Sequence, residues 1–416
     1  MSEHPPVGAK PLGAIPQGFG SADGELTVGG AKVSELVRRA GATPAFFYSC
    51  DMIERRVADL RAAMPERLLI NYAVKANPFD PVLRALSKLV DGFDIASAGE
   101  LAMVRAAGIG ASRVSFAGPG KGADELSAAI SAGVTVNLES AGEMDRALSI
   151  AEKSRKTVRA ALRVNPEFTL RGSGMKMGGG AKPFGIDAAE VPALARKLLA
   201  AGAEFRGLHI FTGSQSLDVE AVIAMQRGVL ALADELARGI GQPLPMLNMG
   251  GGFGIPYFPG DRPLDIQAVG AALADAFAEL PHTLEQTQFH IELGRYLVGE
   301  AGVYVTRIID RKVSHGQVFL VTDGGLHHQL AASGNFGTVV RRNYPVAIAT
   351  RFVEEPVEVA SIVGRLCTPL DRLADSGWFS RAEPGDLVAV FCAGAYGATA
   401  SPMHFLGHGP AAELLV

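Results

Sequence analysis

A lysine, a run of glycines, a carboxylate and an arginine are the residues of this chain whose types and order could do chemistry. Leu68 to Pro78 reads Leu-Leu-Ile-Asn-Tyr-Ala-Val-Lys-Ala-Asn-Pro. Its first seven residues have strand character, and Asn77-Pro78 stops the element. Lys75 then has two readings. It can snorkel, carrying its ammonium to water over an apolar stem. Or it is held in a pocket, where desolvation lowers its pKa and frees an amine for Schiff-base chemistry. Gly250-Gly-Gly-Phe-Gly also follows an apolar run. It is a flexible turn, or a set of bare N–H groups aimed at an anion such as phosphate. Arg295 offers a charged fork suited to a phosphate, and Ser214 a hydroxyl. Glu292 is either an ion-pair partner of Arg295 or a carboxylate set against a ring nitrogen that must stay protonated.

These residues need elements to position them. Strand patterns are expected at 68–74, 92–96, 114–117, 135–138, 159–164, 205–211, 246–249 and 289–293. Helical patterns lie between them at 81–89, 100–107, 123–132, 141–152, 188–201, 219–238 and 265–279. Alternation of this kind predicts a parallel sheet, because each parallel pairing needs a crossover. Eight units have the count and size of a (β/α)8 TIM barrel. An open doubly wound sheet would place its glycine loop after the first strand, whereas here that loop follows the seventh. Barrel chemistry gathers where strands end. Lys75, Asp94, Ser97, Glu139, Ser140, Arg163, Asn165, Ser214, Gly250, Gly251, Gly252, Glu292 and Arg295 all fall there. An imine-forming lysine, a phosphate cradle on the last strands and a carboxylate for a pyridinium nitrogen together describe pyridoxal 5'-phosphate.

Residues 1–24 are rich in Pro and Gly without a period, which predicts a loose tail. Residues 25–48 suggest a short strand, a helix and a strand that pack with the C-terminal part. Asp51 stands at the expected N-cap of a helix over 52–63. The barrel is expected over 49–298. From 299 to 416 valines and aromatics alternate between turn signals, predicting a second, antiparallel β domain. Lys and Arg total 39 against 43 Asp and Glu, with no basic stripe, which argues against a nucleic-acid partner. No apolar run is long enough to span a membrane, and no charged-then-apolar leader is visible. Cys50, Cys367 and Cys392 show neither metal-ligand spacing nor a disulfide framework, which fits a reducing, cytoplasmic setting. His327 and His328 have no visible third ligand, so no metal is expected.

The chain resembles the fold-type III pyridoxal-phosphate-dependent decarboxylases, the diaminopimelate, ornithine and arginine decarboxylase group. The motifs are Tyr72-Ala-Val-Lys-Ala-Asn, Gly92-Phe-Asp-Ile-Ala-Ser, Arg163-Val-Asn-Pro, Gly213-Ser-Gln, Gly250-Gly-Gly-Phe, Glu292-Leu-Gly-Arg and Gly394-Ala-Tyr-Gly. The resemblance runs from about residue 26 to 416 and implies an alanine-racemase-like pairing of barrel and β domain. It makes Lys75 the imine lysine and Glu292 the partner of the pyridine nitrogen. It gives the phosphate to Ser214, Gly250–Gly252, Gly294, Arg295 and Tyr396, and it puts Asp94 close to Lys75. It makes Cys367, in Gly364-Arg-Leu-Cys-Thr-Pro-Leu-Asp, a proton donor reaching the active site of a second subunit. A homodimer with shared sites follows from that. Asp371, Arg163 and His328 become candidates for binding substrate.

Three departures bear on the substrate. Thr368 and Pro369 follow Cys367 where diaminopimelate decarboxylases carry glutamate and serine. Phe211 stands where a histidine usually stacks on the cofactor; it can stack but not hydrogen-bond. On that alternating strand His209 lies one layer deeper and is expected to serve as barrel packing. His327-His-Gln329 replaces an expected substrate arginine. The substrate is therefore expected to differ from free diaminopimelate. Similar changes mark a biosynthetic subgroup, one branch associated with the exosortase system and another acting on glutamyl groups carried on acyl carrier protein. Ordinary diaminopimelate or ornithine decarboxylation remains open, as does a non-catalytic cofactor carrier. A related racemase would carry a catalytic tyrosine in the β domain, where this chain has Cys367.

Overall fold

A computed structural model of the chain describes residues 5–168, 175–176, 178–334 and 342–416. The chain divides into two compact units. One comprises residues 56–255 and 263–294; the other comprises 1–55, 256–262 and 295–416.

The first unit is a closed barrel. Its strands are β1 Leu68–Ala73, β2 Gly92–Ile95, β3 Val114–Phe116, β4 Thr135–Leu138, β5 Arg159–Asn165, β6 Glu204–Ile210, β7 Met246–Gly251 and β8 Gln288–Leu293. Every neighbouring pair is parallel, and β8 pairs with β1 to close the ring. Side chains alternate in direction along a strand. Phe93, Ile95, Leu208, Ile210, Phe289 and Ile291 are each no more than 2% exposed. Burying side chains of this size is worth roughly 1.5–3 kcal/mol each. The intervening residues are polar, and the register lays them side by side: Arg163 beside His209, His209 beside Asn248, Asn248 beside His290, Glu292 beside Asn71 and Asp94 beside Ser115.

Helix starts account for some polar residues at strand ends. Ser97 and Ser140 each accept a hydrogen bond at 3.1 Å from the backbone of Glu100 and Glu143, and so cap the helices Ala98–Ala106 and Ala141–Ser154. The helix Cys50–Ala63 starts before Asp51. Ser49 supplies its first contacts, accepting from Met52 through Oγ and from Ile53 through its carbonyl.

The second unit is built on the long strand Gly302–Ser314. It pairs antiparallel with Ala45–Tyr48, Leu387–Val390 and Gln317–Thr322. Leu26, Val28, Leu36, Phe47, Val303, Val305, Ala389 and Phe391 form one buried cluster here. Two features correct the expectation. The sheet is mixed: Gln317–Thr322 runs parallel to Glu358–Val363, and Ala412–Leu415 runs parallel to Ala45–Tyr48. The 35 residues between these two strands, 323–357, are long enough for the crossover that the first of these pairings needs. The described part of the N-terminal segment is also not loose. Lys10 donates to the carbonyl of Ser376 at 2.8 Å, Leu12 bridges Asn343, and Gly20–Ala22 pairs with Glu25–Val28. These backbone contacts need no side-chain period, so periodicity could not reveal them. Among the described residues no helix is long and apolar enough to cross a membrane.

Candidate active site

Lys75 lies just past β1, in the single 3-10 turn Val74–Ala76. Its side chain is 46% exposed, and Nζ stands 3.9 Å from Glu292 Oε1 and 5.8 Å from the Phe211 ring centre. The amine therefore points at the barrel's interior polar layer, although it is not desolvated as the pocket reading required. Gly294 makes room for this turn: a Cβ there would stand 2.9 Å from the Ala76 side chain.

Glu292 projects from β8 and is 7% exposed. His209 Nε2 is 3.2 Å from Glu292 Oε2. That contact is too poorly aligned for a hydrogen bond, so these two atoms and His209 Nδ1 are buried without one among the described residues. His209 is thus more than barrel filling, which corrects the packing assignment. Alternation put it on the Phe211 face, but it could not show that β8 brings a carboxylate opposite. Burial raises the Glu292 pKa, yet His209 and the Lys75 charge outweigh it and hold the group at about 2. Asp94, on β2, behaves in the opposite way. Burial pushes its carboxyl well above the usual range, the Glu292 charge adds to that, and the neighbouring Ser115 and Asn71 oppose it. Neither Asp94 oxygen has an aligned hydrogen-bond partner among the described residues. One barrel interior thus carries two carboxyl groups whose pKa values are pushed in opposite directions.

The upward shift at Asp94 has a consequence for stability. The folded chain keeps a proton on Asp94 that the unfolded chain releases above its ordinary pKa of about 4. Stability is therefore fully present below that pH and is lost as pH rises toward the raised folded value. Asp94→Asn removes this dependence. We expect the cofactor-free variant to show a higher urea midpoint than the parent at neutral pH, with the gap closing near pH 4. A gap that persists unchanged at acid pH counts against a protonated Asp94.

The glycine loop is set by the barrel as much as by any ligand. A Cβ on Gly251 would lie 1.9 Å from the Glu292 carbonyl oxygen, so β7 can approach β8 only with glycine there. Gly250 has φ +70°, and its N–H already donates to Asn248 Oδ1 at 2.9 Å. That amide is committed, contrary to the reading of three bare N–H groups. The Gly252 carbonyl accepts from Ser216 N–H at 2.9 Å. The Gln215 amide brackets Ile255, donating to its carbonyl at 2.6 Å and accepting from its N–H at 3.2 Å. These bonds draw the Ser214 loop and the glycine loop together.

Arg163 is 6% exposed and pairs with Glu139 at 2.8 Å. Glu139 also accepts from the backbone N–H of Gly118 at 2.6 Å and of Gly185 at 3.1 Å. Burial raises the Glu139 pKa, but Arg163 outweighs it and leaves the group below its usual value. A second buried pair adjoins. Lys121 Nζ lies 2.9 Å from Glu143 Oε1 and donates to the carbonyls of Gly118 and Asn137, while Glu143 Oε2 accepts from the Glu139 backbone. Arg163 thus closes the ends of β4 and β5, where a substrate role was expected. Lys121 was overlooked because a lysine in a Gly-Pro-Gly turn reads as surface.

In the second unit Arg295 donates from Nη1 to the Tyr257 hydroxyl at 2.9 Å and lies 4.9 Å from the Tyr396 ring centre. Its Nε is buried without a partner among the described residues. Burial pushes the Tyr257 phenol up to about 12, so it stays protonated. Cys367 is exposed. Asp371 is 2% exposed, and its carboxylate accepts from the backbone N–H of Leu326 at 2.6 Å and of Leu366 at 2.9 Å. His328 uses both ring nitrogens, one on the Tyr304 hydroxyl at 3.1 Å and one on the Gly409 carbonyl at 2.9 Å. Both residues therefore hold loops of this unit in place. Sequence pattern alone could not expose such distant backbone partners.

In the barrel unit alone, a buried carboxylate held ionised with an amine beside it suits the ring nitrogen and aldehyde of pyridoxal 5'-phosphate. A family model for the pyridoxal binding domain of pyridoxal-dependent decarboxylases matches residues 50–299. The L-glutamyl-[BtrI acyl-carrier protein] decarboxylase of Niallia circulans is 36% identical, over 92% of this chain and 91% of its own. The diaminopimelate decarboxylase of Aquifex aeolicus is 34% identical, over 95% and 91%. A crystal structure from Aquifex aeolicus superposes with a TM-score of 0.81 at 31% identity, covering 96% of this chain and 92% of that one.

Proposed function

We propose that this chain, which belongs to the pyridoxal-dependent decarboxylase family, removes the α-carboxyl group of an aminoacyl unit carried on an acyl-carrier protein. The chain is a carboxy-lyase, and its cofactor is pyridoxal 5'-phosphate. The carrier-bound substrate rests on one observation: the similarity to the Niallia circulans enzyme extends over nearly the whole of both chains. The replacement of the Glu-Ser pair after the cysteine by Thr368-Pro369 agrees with it.

When bound, the cofactor supplies an electron-accepting ring at the α-carbon. The chain's residues do the rest. We assign to Lys75 Nζ the covalent hold on the cofactor and to Glu292 the proton at the ring nitrogen. Phe211 offers a ring face. Ser214, Gly251, Gly252, Gly294, Arg295 and Tyr396 are assigned to the phosphate, with Gly250 shaping the turn that carries the loop. The net reaction takes up one proton for each carbon dioxide released. Cys367 Sγ is assigned as the group that delivers it to the α-carbon, from a second copy of the chain in a homodimer.

The test is carbon dioxide release from glutamyl-loaded carrier protein, free glutamate, free diaminopimelate and free ornithine. We expect the carrier-bound substrate to exceed every free amino acid in kcat/KM by at least about 100-fold. Cys367→Ala should lower its kcat by about 100-fold or more while leaving cofactor content intact. Preference for a free diamino acid would return the chain to the diaminopimelate or ornithine class. No turnover of any substrate by cofactor-loaded protein would favour a carrier role.

A further inference from the structure

We infer that His209 is a positioning residue for the barrel's central carboxylate: it pins Glu292 Oε2 and leaves Oε1 on the Lys75 side. This rests on the assignment of Glu292 to the cofactor's ring nitrogen.

The geometry carries the inference. His209 Nε2 stands 3.2 Å from Oε2, while Lys75 Nζ stands 3.9 Å from Oε1, so the two carboxylate oxygens face different groups. The imidazole is 1% exposed and meets the Phe211 ring edge-on at 71°, which limits its rotation. Both its nitrogens are buried without an aligned hydrogen bond among the described residues, and so is Glu292 Oε2. Orphaned atoms of this kind in a packed interior need a reason. Apo hydrogen bonds at functional sites are often poorly aligned and tighten only in the loaded complex.

The same contact distinguishes two acids. Glu292 and Asp94 are both buried, at 7% and 5% exposure. Two such carboxyls in one interior do not both ionise cheaply. Glu292 is faced by Lys75, His209, Arg163 and Asp94, whereas Asp94 is faced by Glu292, Lys75 and the neutral Ser115 and Asn71. Lys75 acts on both acids. Of the two acids His209 approaches only Glu292, at 3.2 Å, and an N–H that tightens onto Oε2 in the loaded site would favour the charged form there.

The test compares His209→Met, which fills the space without a donor, with His209→Gln, which keeps an N–H. Affinity of the cofactor-free chain for pyridoxal 5'-phosphate is measured from about pH 5 to about pH 8. Without the donor, burial raises the Glu292 pKa, so the acid limb of binding moves to higher pH. We expect His209→Met to lose about tenfold in affinity near pH 6 and less than about twofold near pH 8. His209→Gln should stay within about twofold throughout. If His209→Met does not fold, His209→Asn, too short to reach Glu292, should show the same acid-side loss. Parent-like behaviour in the donor-free variants, or an equal loss in His209→Gln, overturns the inference. Glu292→Gln separates the two claims. If it keeps the parent's pH dependence, the Glu292 assignment is itself wrong. If it flattens that dependence while His209→Met follows the parent, only the role of His209 falls.

Discussion

Lys75→Ala is expected to abolish covalent retention of the cofactor and to lower kcat for carbon dioxide release by at least about 10³-fold. Lys75 is the amine that approaches Glu292 at 3.9 Å from the end of β1. Lys121, which unlike Lys75 is buried in the barrel, is engaged by Glu143 and by two backbone carbonyls. It has no spare geometry to substitute. Lys75→Arg is the informative companion, because a guanidinium keeps the charge beside Glu292 but is not a usable nucleophile. Both variants should fold, since the side chain is 46% exposed and the ion pair is long. Borohydride reduction followed by mass spectrometry of the peptide containing Lys75 should find the cofactor's added mass in the parent and in neither variant. A label retained elsewhere in Lys75→Ala would mean that another amine holds the cofactor.

The order of β and α elements was legible because every barrel strand carries an apolar face toward the helices, and strand ends came within about two residues of expectation. Lys75 and Glu292 were legible for the same reason, each standing where an apolar strand stops. Residues whose partners come from distant parts of the chain were not. Asp371 and His328 were candidates for substrate through the family resemblance alone, which shows nothing of the contacts they make within the chain. Backbone groups of Leu326, Leu366 and Gly409 engage them. Gly250 looked like a phosphate amide, but Asn248, two residues earlier, takes its N–H. His209 was read through its own strand, whereas its significance comes from β8.

Arg163 yields the sharpest contrast between a structural and a substrate role. The side chains of Arg163 and Glu139 are 7% and 2% exposed, and Nη1 meets Oε1 at 2.8 Å. The Phe184 ring lies 5.1 Å below the guanidinium carbon. Removing one member of a buried pair leaves the other charge without compensation, at a cost of about 3–5 kcal/mol. Arg163→Leu should therefore lose stability on that scale in urea unfolding of the cofactor-free chain. The backbone amides of Gly118 and Gly185 can solvate only part of the abandoned Glu139 charge. In Arg163→Leu/Glu139→Leu both charges are gone, so the double variant should recover at least about 1 kcal/mol relative to the sum of the single losses. A substrate-binding arginine would behave otherwise, with KM rising, the urea midpoint holding and no coupling to Glu139. Because Arg163 also helps hold Glu292 ionised, its loss should raise the acid limb of cofactor binding in the same direction as His209→Met. Two changes on neighbouring strands β5 and β6 would then move one titration, as a shared carboxylate on β8 requires.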